Sequence, residues 1–270
     1  MGLPELKMIN ILKDLKENYH IVGLKAEFET EGAGLKEVLK LKEIADNLNL
    51  NLAIKIGGCE AVRDMYEAKE IGAQIIIAPM IETLYAMKKY ARTINRVFLK
   101  EQKQRSKFLI NVETITGFNN LDDIINSQDF CEVSGIVLGR SDMVGSLGLT
   151  REYCNSKQIF NIAYKISEKM KNINKDFIVG GNVCVDSVPF FSNLNYLVGF
   201  ETRKIIFDAK KSLNNSDIKK GILKALEFEL MWLKNRKKYC GATVFQEDNT
   251  RMERLENIIK NAQKYEEIHA

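Results

Sequence analysis

Short runs of β-branched and aliphatic residues alternate along the chain with stretches whose apolar positions recur every three to four residues. This alternation predicts strand–helix units over most of the length. Strands are predicted at 20–28 (HIVGLKAEF), 51–56, 74–79, 107–113, 134–139, 176–181 and 195–201, with a weaker one at 96–100 (RVFLK). Most are apolar on both faces, the pattern of parallel strands covered by helices. Amphipathic helices are predicted between them, at 35–48, 60–71, 81–91, 121–127 and 156–170.

About eight strands in one direction, with no GxGxxG after the first, favour a closed α/β barrel of the TIM (β/α)8 type over a doubly wound open sheet. Two segments fall outside that repeat. Residues 5–17 read as an added N-terminal helix at the barrel bottom. Residues 216–239 and 248–267 read as a helical tail carrying the only tryptophan, Trp232. The division is therefore a barrel with its N-terminal helix over 1–208 and a C-terminal helical extension over 209–270. So apolar a tail needs a surface to cover, on its own barrel or on a neighbouring subunit, and the second is favoured. A homo-oligomer built through these helices is the expectation.

Composition narrows the class. The 270 residues suit one barrel of roughly 250 residues, and 45% hydrophobic with 28% charged residues describes a globular chain. Five widely spaced cysteines without a CxxC indicate neither a disulfide framework nor a zinc site. The first 20 residues mix lysines and carboxylates into their apolar positions, unlike a signal peptide, and no run of 18 apolar residues follows. The expectation is a soluble cytoplasmic protein with no membrane partner. The net charge of +4 is spread over lysine-rich helix faces, so no nucleic-acid partner is expected either.

With only His20 and His269 present, both away from predicted strand C-termini, triads and histidine-rich metal sites are excluded as readings. Chemistry must come from carboxylates, lysines, arginines and a metal held by oxygen. Barrel active sites lie at the C-terminal ends of strands. There the sequence places Glu27, Glu29, Lys55, Met80, Glu113, Arg140, Asp142, Asn182 and Glu201. Glu113 and Asp142 are carboxylates on adjacent predicted strands, costly to hold together unless a cation lies between them. All-oxygen ligation selects Mg²⁺, with Mn²⁺ next. A 2-oxo acid would chelate such an ion, which would act as Lewis acid on an enolate. The turn 145–148, with Gly145 and Ser146, offers backbone N–H groups for a substrate carboxylate, though a plain turn reads equally well.

Pro79-Met80-Ile81-Glu82-Thr83, Asn111-Val112-Glu113-Thr114 and Gly139-Arg140-Ser141-Asp142-Met143 with Gly145-Ser146-Leu147-Gly148 together resemble the family of 4-hydroxy-2-oxo-acid aldolases and citrate lyase β-subunits, the HpcH/HpaI type. The likeness spans about 20–208. It implies Glu113 and Asp142 as metal ligands and Glu27 and Glu29 as the acidic first-strand motif. It places Lys55 where the family has an arginine polarising the substrate keto oxygen, and Glu201 on the eighth-strand segment. Three positions depart from the pattern. Lysine at 55 keeps the charge but loses the bidentate fork. Thr30 stands where the aldolases have a histidine. Arg140 replaces a proline beside the metal aspartate, adding a cation suited to a more anionic substrate.

The reading is a divalent-metal-dependent carbon–carbon lyase or aldolase acting on a pyruvate-type 2-oxo acid. Lys55 and Arg140 would balance charge, Glu27 or Glu29 would exchange protons, and Gly145, Ser146, Met80, Asn182 and Glu201 would contact substrate. The co-substrate would be an aldehyde, a sugar or an acyl compound. Three alternatives stay open: a CoA-ester lyase, a non-catalytic 2-oxo-acid-binding barrel, and a Schiff-base aldolase using a Lys55 amine lowered in pKa by desolvation.

Overall fold

The computed structural model describes residues 3–236 and 242–269; Cys240 and the side chain of His269 lie outside the described residues. Chain order opens with α1 (Leu3–Tyr19), β1 (Ile21–Glu27), α2 (Leu35–Asn47), β2 (Asn51–Lys55), α3 (Val62–Ile71), β3 (Ile75–Ala78), α4 (Leu84–Val97), α5 (Lys100–Lys103) and β4 (Lys107–Val112). It continues with α6 (Ile115–Asn119), α7 (Leu121–Ile125), β5 (Gly135–Gly139), α8 (Arg140–Ser146), α9 (Lys157–Asn172), β6 (Asp176–Gly180) and α10 (Val188–Ser192). It closes with β7 (Gly199–Glu201), β8 (Ile205–Asp208), α11 (Ala209–Leu213), α12 (Ile218–Arg236) and α13 (Ala242–His269).

The eight strands close into one barrel in sequence order. The TIM-type α/β barrel expected from the alternation is the observed fold. The β2, β3 and β5 positions are buried on both faces apart from Asn51, as the unbroken apolar runs require. Inside the barrel, Ala53, Ile75, Ile77, Leu109, Val137, Ile178 and Ile206 form a separate apolar core below the mouth. A much larger core lies between the sheet and the helices. Each of these aliphatic side chains larger than alanine contributes about 1.5–3 kcal/mol by leaving water. Side-chain caps fix where helices begin: Thr83 accepts from Ala86 N–H, Thr114 from Gly117 N–H, and Ser156 from Ile159 N–H.

Two strand expectations are corrected. The segment 96–100 is no strand. Arg96 and Val97 complete α4, whose buried Met87, Tyr90, Ala91, Ile94 and Val97 carry helical spacing through it. The eighth strand is β8, and it is antiparallel to both β7 and β1. Three residues, Thr202, Arg203 and Lys204, separate β7 from β8. So short a link makes a hairpin, whereas a parallel return needs a crossover of a dozen residues or more.

Reversing β8 redirects everything after it. β8 descends from the strand C-terminal rim to the bottom, where Asp208 N–H donates to His20 O (3.1 Å). From there α12 climbs beside α1, whose Met8, Leu12 and Leu15 are fully buried. At the top, Trp232 Nε1–H donates to Glu37 of α2 (2.9 Å), and Arg236 reaches Glu37 and Glu31. Trp232 thus anchors α12 onto its own barrel. The chain then returns as α13, with Met252 and Leu255 buried. Among the described residues, no helix is long and apolar enough to cross a membrane.

Candidate active site

The strand alternation that builds the barrel also aims its polar exceptions. Lys25 and Glu27 share one face of β1, and Asn111 and Glu113 share one face at the end of β4. All four line a cleft of about 180 Å³ at the C-terminal ends of the strands, together with Lys55 and Asp142. Lys55 Nζ lies 2.8 Å from Glu29 Oε2 and 3.3 Å from Glu113 Oε2. Glu113 is held on both oxygens: Oε1 accepts from Met80 N–H (3.0 Å) and Oε2 from Asn111 Nδ2–H (2.7 Å). Met80 makes that contact with φ +49, a left-handed conformation that costs a non-glycine residue energy and recurs at functional sites. Gly139 leaves the space Glu113 needs, since a Cβ there would come 2.7 Å from Glu113 Oε2.

The electrostatics divide the acids. Burial alone would raise the Glu27 carboxyl, but Lys25, Lys55, Arg203 and Lys204 outweigh it and hold it down to about 2. Lys25 Nζ stands 3.1 Å from Glu27 and 2.5 Å from Glu201. Asp142 moves the other way, pushed up by burial and by the Glu113 carboxylate beside it, the two being close enough to share a hydrogen bond. Burial pulls the Lys55 amine down, yet Glu113, Glu27 and Glu29 more than offset it and its pKa is raised. This environment favours the protonated amine over the desolvated neutral amine that the Schiff-base alternative requires.

Not every residue singled out in the sequence reaches the cleft. Lys55, Glu27, Glu113, Asp142, Asn182 and Glu201 line it. Glu29 stands at its edge through Lys55. Arg140 is fully buried and faces away. Its guanidinium donates to Gly180 O (3.1 Å), Asn155 Oδ1 (2.6 Å) and Ser187 Oγ (3.3 Å), and stacks 4.8 Å from the Phe190 ring. Burial lowers its pKa to about 10, which still leaves it charged at neutral pH. Its task is to tie β5, β6 and the 185–191 segment together. Met80 contributes its backbone N–H while its side chain is exposed. Gly145 and Ser146 end α8 away from the cleft, and Ser146 Oγ is engaged with Ile115 N–H and Met143 O.

Other cleft residues went unread in the sequence. Lys25 and Asn111 are polar residues on otherwise apolar strands, in register with Glu27 and Glu113, and that parity was the available signal. Arg151, Arg251 and Arg254 also line the cleft. The latter two come from α13, which folds back over the mouth: Arg254 donates to Asn182 Oδ1, and Arg251 pairs with Glu229 of α12 (2.7 and 3.0 Å). Arg251 and Arg254 share a helix face at i, i+3 spacing, but spacing cannot say what that face meets.

Carboxylates and lysines converge at the strand C-termini of a closed barrel, where barrel enzymes carry their active sites. Residues 46–178 match the family model HpcH/HpaI aldolase/citrate lyase. Solved structures of similar fold include a HpcH/HpaI aldolase/citrate lyase family protein from Burkholderia cenocepacia J2315, with TM-score 0.57, 13% identity, and coverage of 72% of this chain and 92% of that one. An HpcH/HpaI aldolase from Desulfitobacterium hafniense DCB-2 gives 0.58 at 12% identity, covering 74% and 82%. Citrate synthase SbnG gives 0.57 at 15%, covering 87% and 91%. No curated protein sequence matches the chain. The stretch 46–178, just under half of the chain, is similar to the HpcH/HpaI aldolase/citrate lyase family, and solved structures of that family share the fold. The matched span holds Lys55, Glu113 and Asp142; the Glu27–Glu29 segment and the arginines of α13 lie outside it.

Proposed function

We propose that the protein is a carbon–carbon lyase or aldolase that makes or breaks a bond to the enolate carbon of a pyruvate-type 2-oxo acid, using Mg²⁺ or Mn²⁺. The observation that carries this is the Glu113–Asp142 pair, two carboxylates brought together in the cleft with Asp142 raised in pKa by burial and by its neighbour. Such a pair is relieved by a divalent cation. Asn111 Oδ1, buried without a hydrogen-bond partner beside Glu113, adds a third hard oxygen. Among the described residues no group of three His, Cys, Asp or Glu side chains is placed to hold a metal ion; two carboxylates alone would leave coordination positions for a chelating substrate. Glu113 and Asp142 would hold the ion, which when bound supplies Lewis acidity to the substrate's carboxylate and keto oxygens.

The chain's own residues do the rest. Lys55, kept protonated by its three glutamates, presents a fixed ammonium to negative charge developing on the substrate oxygen. Lys25, its pKa likewise raised, adds a second positive charge deeper in the barrel. Glu27 is held ionised and acts as counter-charge to these lysines rather than as an acid. Glu29 is the carboxylate in position to exchange a proton. Its side chain is 25% exposed against 10% for Glu27 and 1% for Glu113, and it touches Lys55 Nζ.

Calorimetric titration of chelator-stripped protein with Mg²⁺ and Mn²⁺, with and without oxalate, tests the donor set. The expected outcome is binding that oxalate tightens and that a Glu113→Ala/Asp142→Ala variant loses. Equal binding by that variant would remove the assignment.

A further inference from the structure

The cleft carries more positive charge than its carboxylates use. Lys25 is paired with Glu27 and Glu201, Lys55 with Glu29 and Glu113. Arg203 is paired with Glu31 at 2.9 Å and Arg251 with Glu229 at 2.7 Å. Arg254 and Arg151 remain. Among the described residues neither lies within ion-pair distance of a carboxylate. An arginine at an exposed rim, as Arg151 is, needs no counter-charge; Arg254 is half-buried. Burial and the like charges of Arg251 and Arg151 weaken its hold on its proton. Gathering cations where water is partly excluded costs energy until an anion joins them.

The framework around these two arginines is built. Asn182 joins them, its Nδ2–H donating to Arg151 O (3.0 Å) and its Oδ1 accepting from Arg254. Gly181 and Asn182 take consecutive left-handed conformations, φ +78 and +51. A Cβ on Gly181 would meet Ser141 N at 2.5 Å, so only glycine permits the turn that delivers Asn182 to this place. Glu113 directly follows β4 and Asp142 lies on α8, whereas Arg254 enters from α13. One cleft thus gathers both oxygen donors and guanidinium groups, supplied by different elements.

We propose that Arg254, with Arg151, is the specificity site for the second substrate, which carries its own anionic group, a carboxylate or a phosphate. This rests on the carbon–carbon lyase reading for naming the occupant a co-substrate. Neutral aldehydes and unphosphorylated sugars are thereby disfavoured. Guanidinium forks bind both anions bidentately, and such charge-assisted bonds are the strong ones.

The test is calorimetric titration of the full chain, without metal or oxo acid, using succinate, inorganic phosphate and the neutral succinamide. The variants are Arg254→Gln, Arg254→Lys and, as a distant control, Arg63→Gln. Arg63 is 89% exposed on α3, so its loss checks bulk charge. At least one anion is expected to bind wild type, more weakly as salt rises. Arg254→Gln should lose about tenfold in affinity, Arg254→Lys should recover part of it, Arg63→Gln should change nothing, and succinamide should not bind. Whichever of succinate and phosphate binds more tightly names the group. Absence of anion binding, or binding unchanged in Arg254→Gln, overturns the proposal. Because this measurement needs no turnover, a failed oxo-acid chemistry leaves its result standing, and its own failure leaves that chemistry untouched.

Discussion

At the scale of single residues, register decides which side chains can react. Lys55, Glu113 and Glu27 were legible because a polar residue near the end of an apolar strand has few reasons to be there. Arg140 was read as a cleft cation because it lies two residues before Asp142. Residue 140 begins helix α8, however, and in a helix consecutive side chains diverge by about 100°. Asp142 therefore faces the cleft while Arg140 turns toward Phe190 and Phe191. Arg140→Leu should lower stability by about 2–4 kcal/mol through the acceptors it strands, read as a drop in urea midpoint. A cleft role would instead lower turnover at an unchanged midpoint. For Glu27 the sign follows from its depressed pKa. Its stabilising contribution is complete above the ordinary value of 4.5 and is lost as pH falls through about 2. The urea midpoints of wild type and Glu27→Gln should therefore differ most near neutral pH and converge on acidification. A gap that widened in acid would contradict the Lys25–Glu27 assignment.

At the scale of elements, the longer helices and seven of the strands followed from apolar periodicity, whereas β8 and short helices such as α8 and α10 did not. The stretch 205–208 is four residues long and three residues from its neighbour, too short for periodicity to separate it from a loop. RVFLK at 96–100 misled for the opposite reason: its apolar residues continue the buried face of α4. The α12–α13 pairing shows what the hairpin made possible. Glu229 on α12 is fully buried, and its two carboxylate oxygens are met by Arg251 of α13. Arg251→Leu should cost about 3–5 kcal/mol because it leaves a buried carboxylate alone. Glu229→Leu/Arg251→Leu should recover most of that loss, and denaturant unfolding of the three proteins checks the cycle. If the single and double variants unfold alike, the pair does not fasten α13.

At the scale of the whole molecule, the reversed β8 sends α12 upward, and α13 is thereby brought over the mouth of its own barrel. The tail's apolar surface was legible in the sequence, and the structure spends Trp232, Leu233, Met252 and Leu255 on its own chain. Which face α13 would cover was not legible, because that follows from strand direction, which local periodicity does not encode. Self-association through what remains of these helices is a separate proposal, and sedimentation of the full chain answers it. In the proposed reaction Glu113, Asp142 and Lys55 together promote enolisation of a 2-oxo acid. Deuterium exchange at C3 of pyruvate, followed by proton NMR in D₂O with Mg²⁺ or Mn²⁺, reads that step without knowledge of the second substrate. Exchange is expected well above the metal-only background, reduced about 100-fold or more by Lys55→Met and abolished by Glu113→Ala/Asp142→Ala. Exchange no faster than background, for pyruvate and 2-oxobutyrate alike, would contradict it.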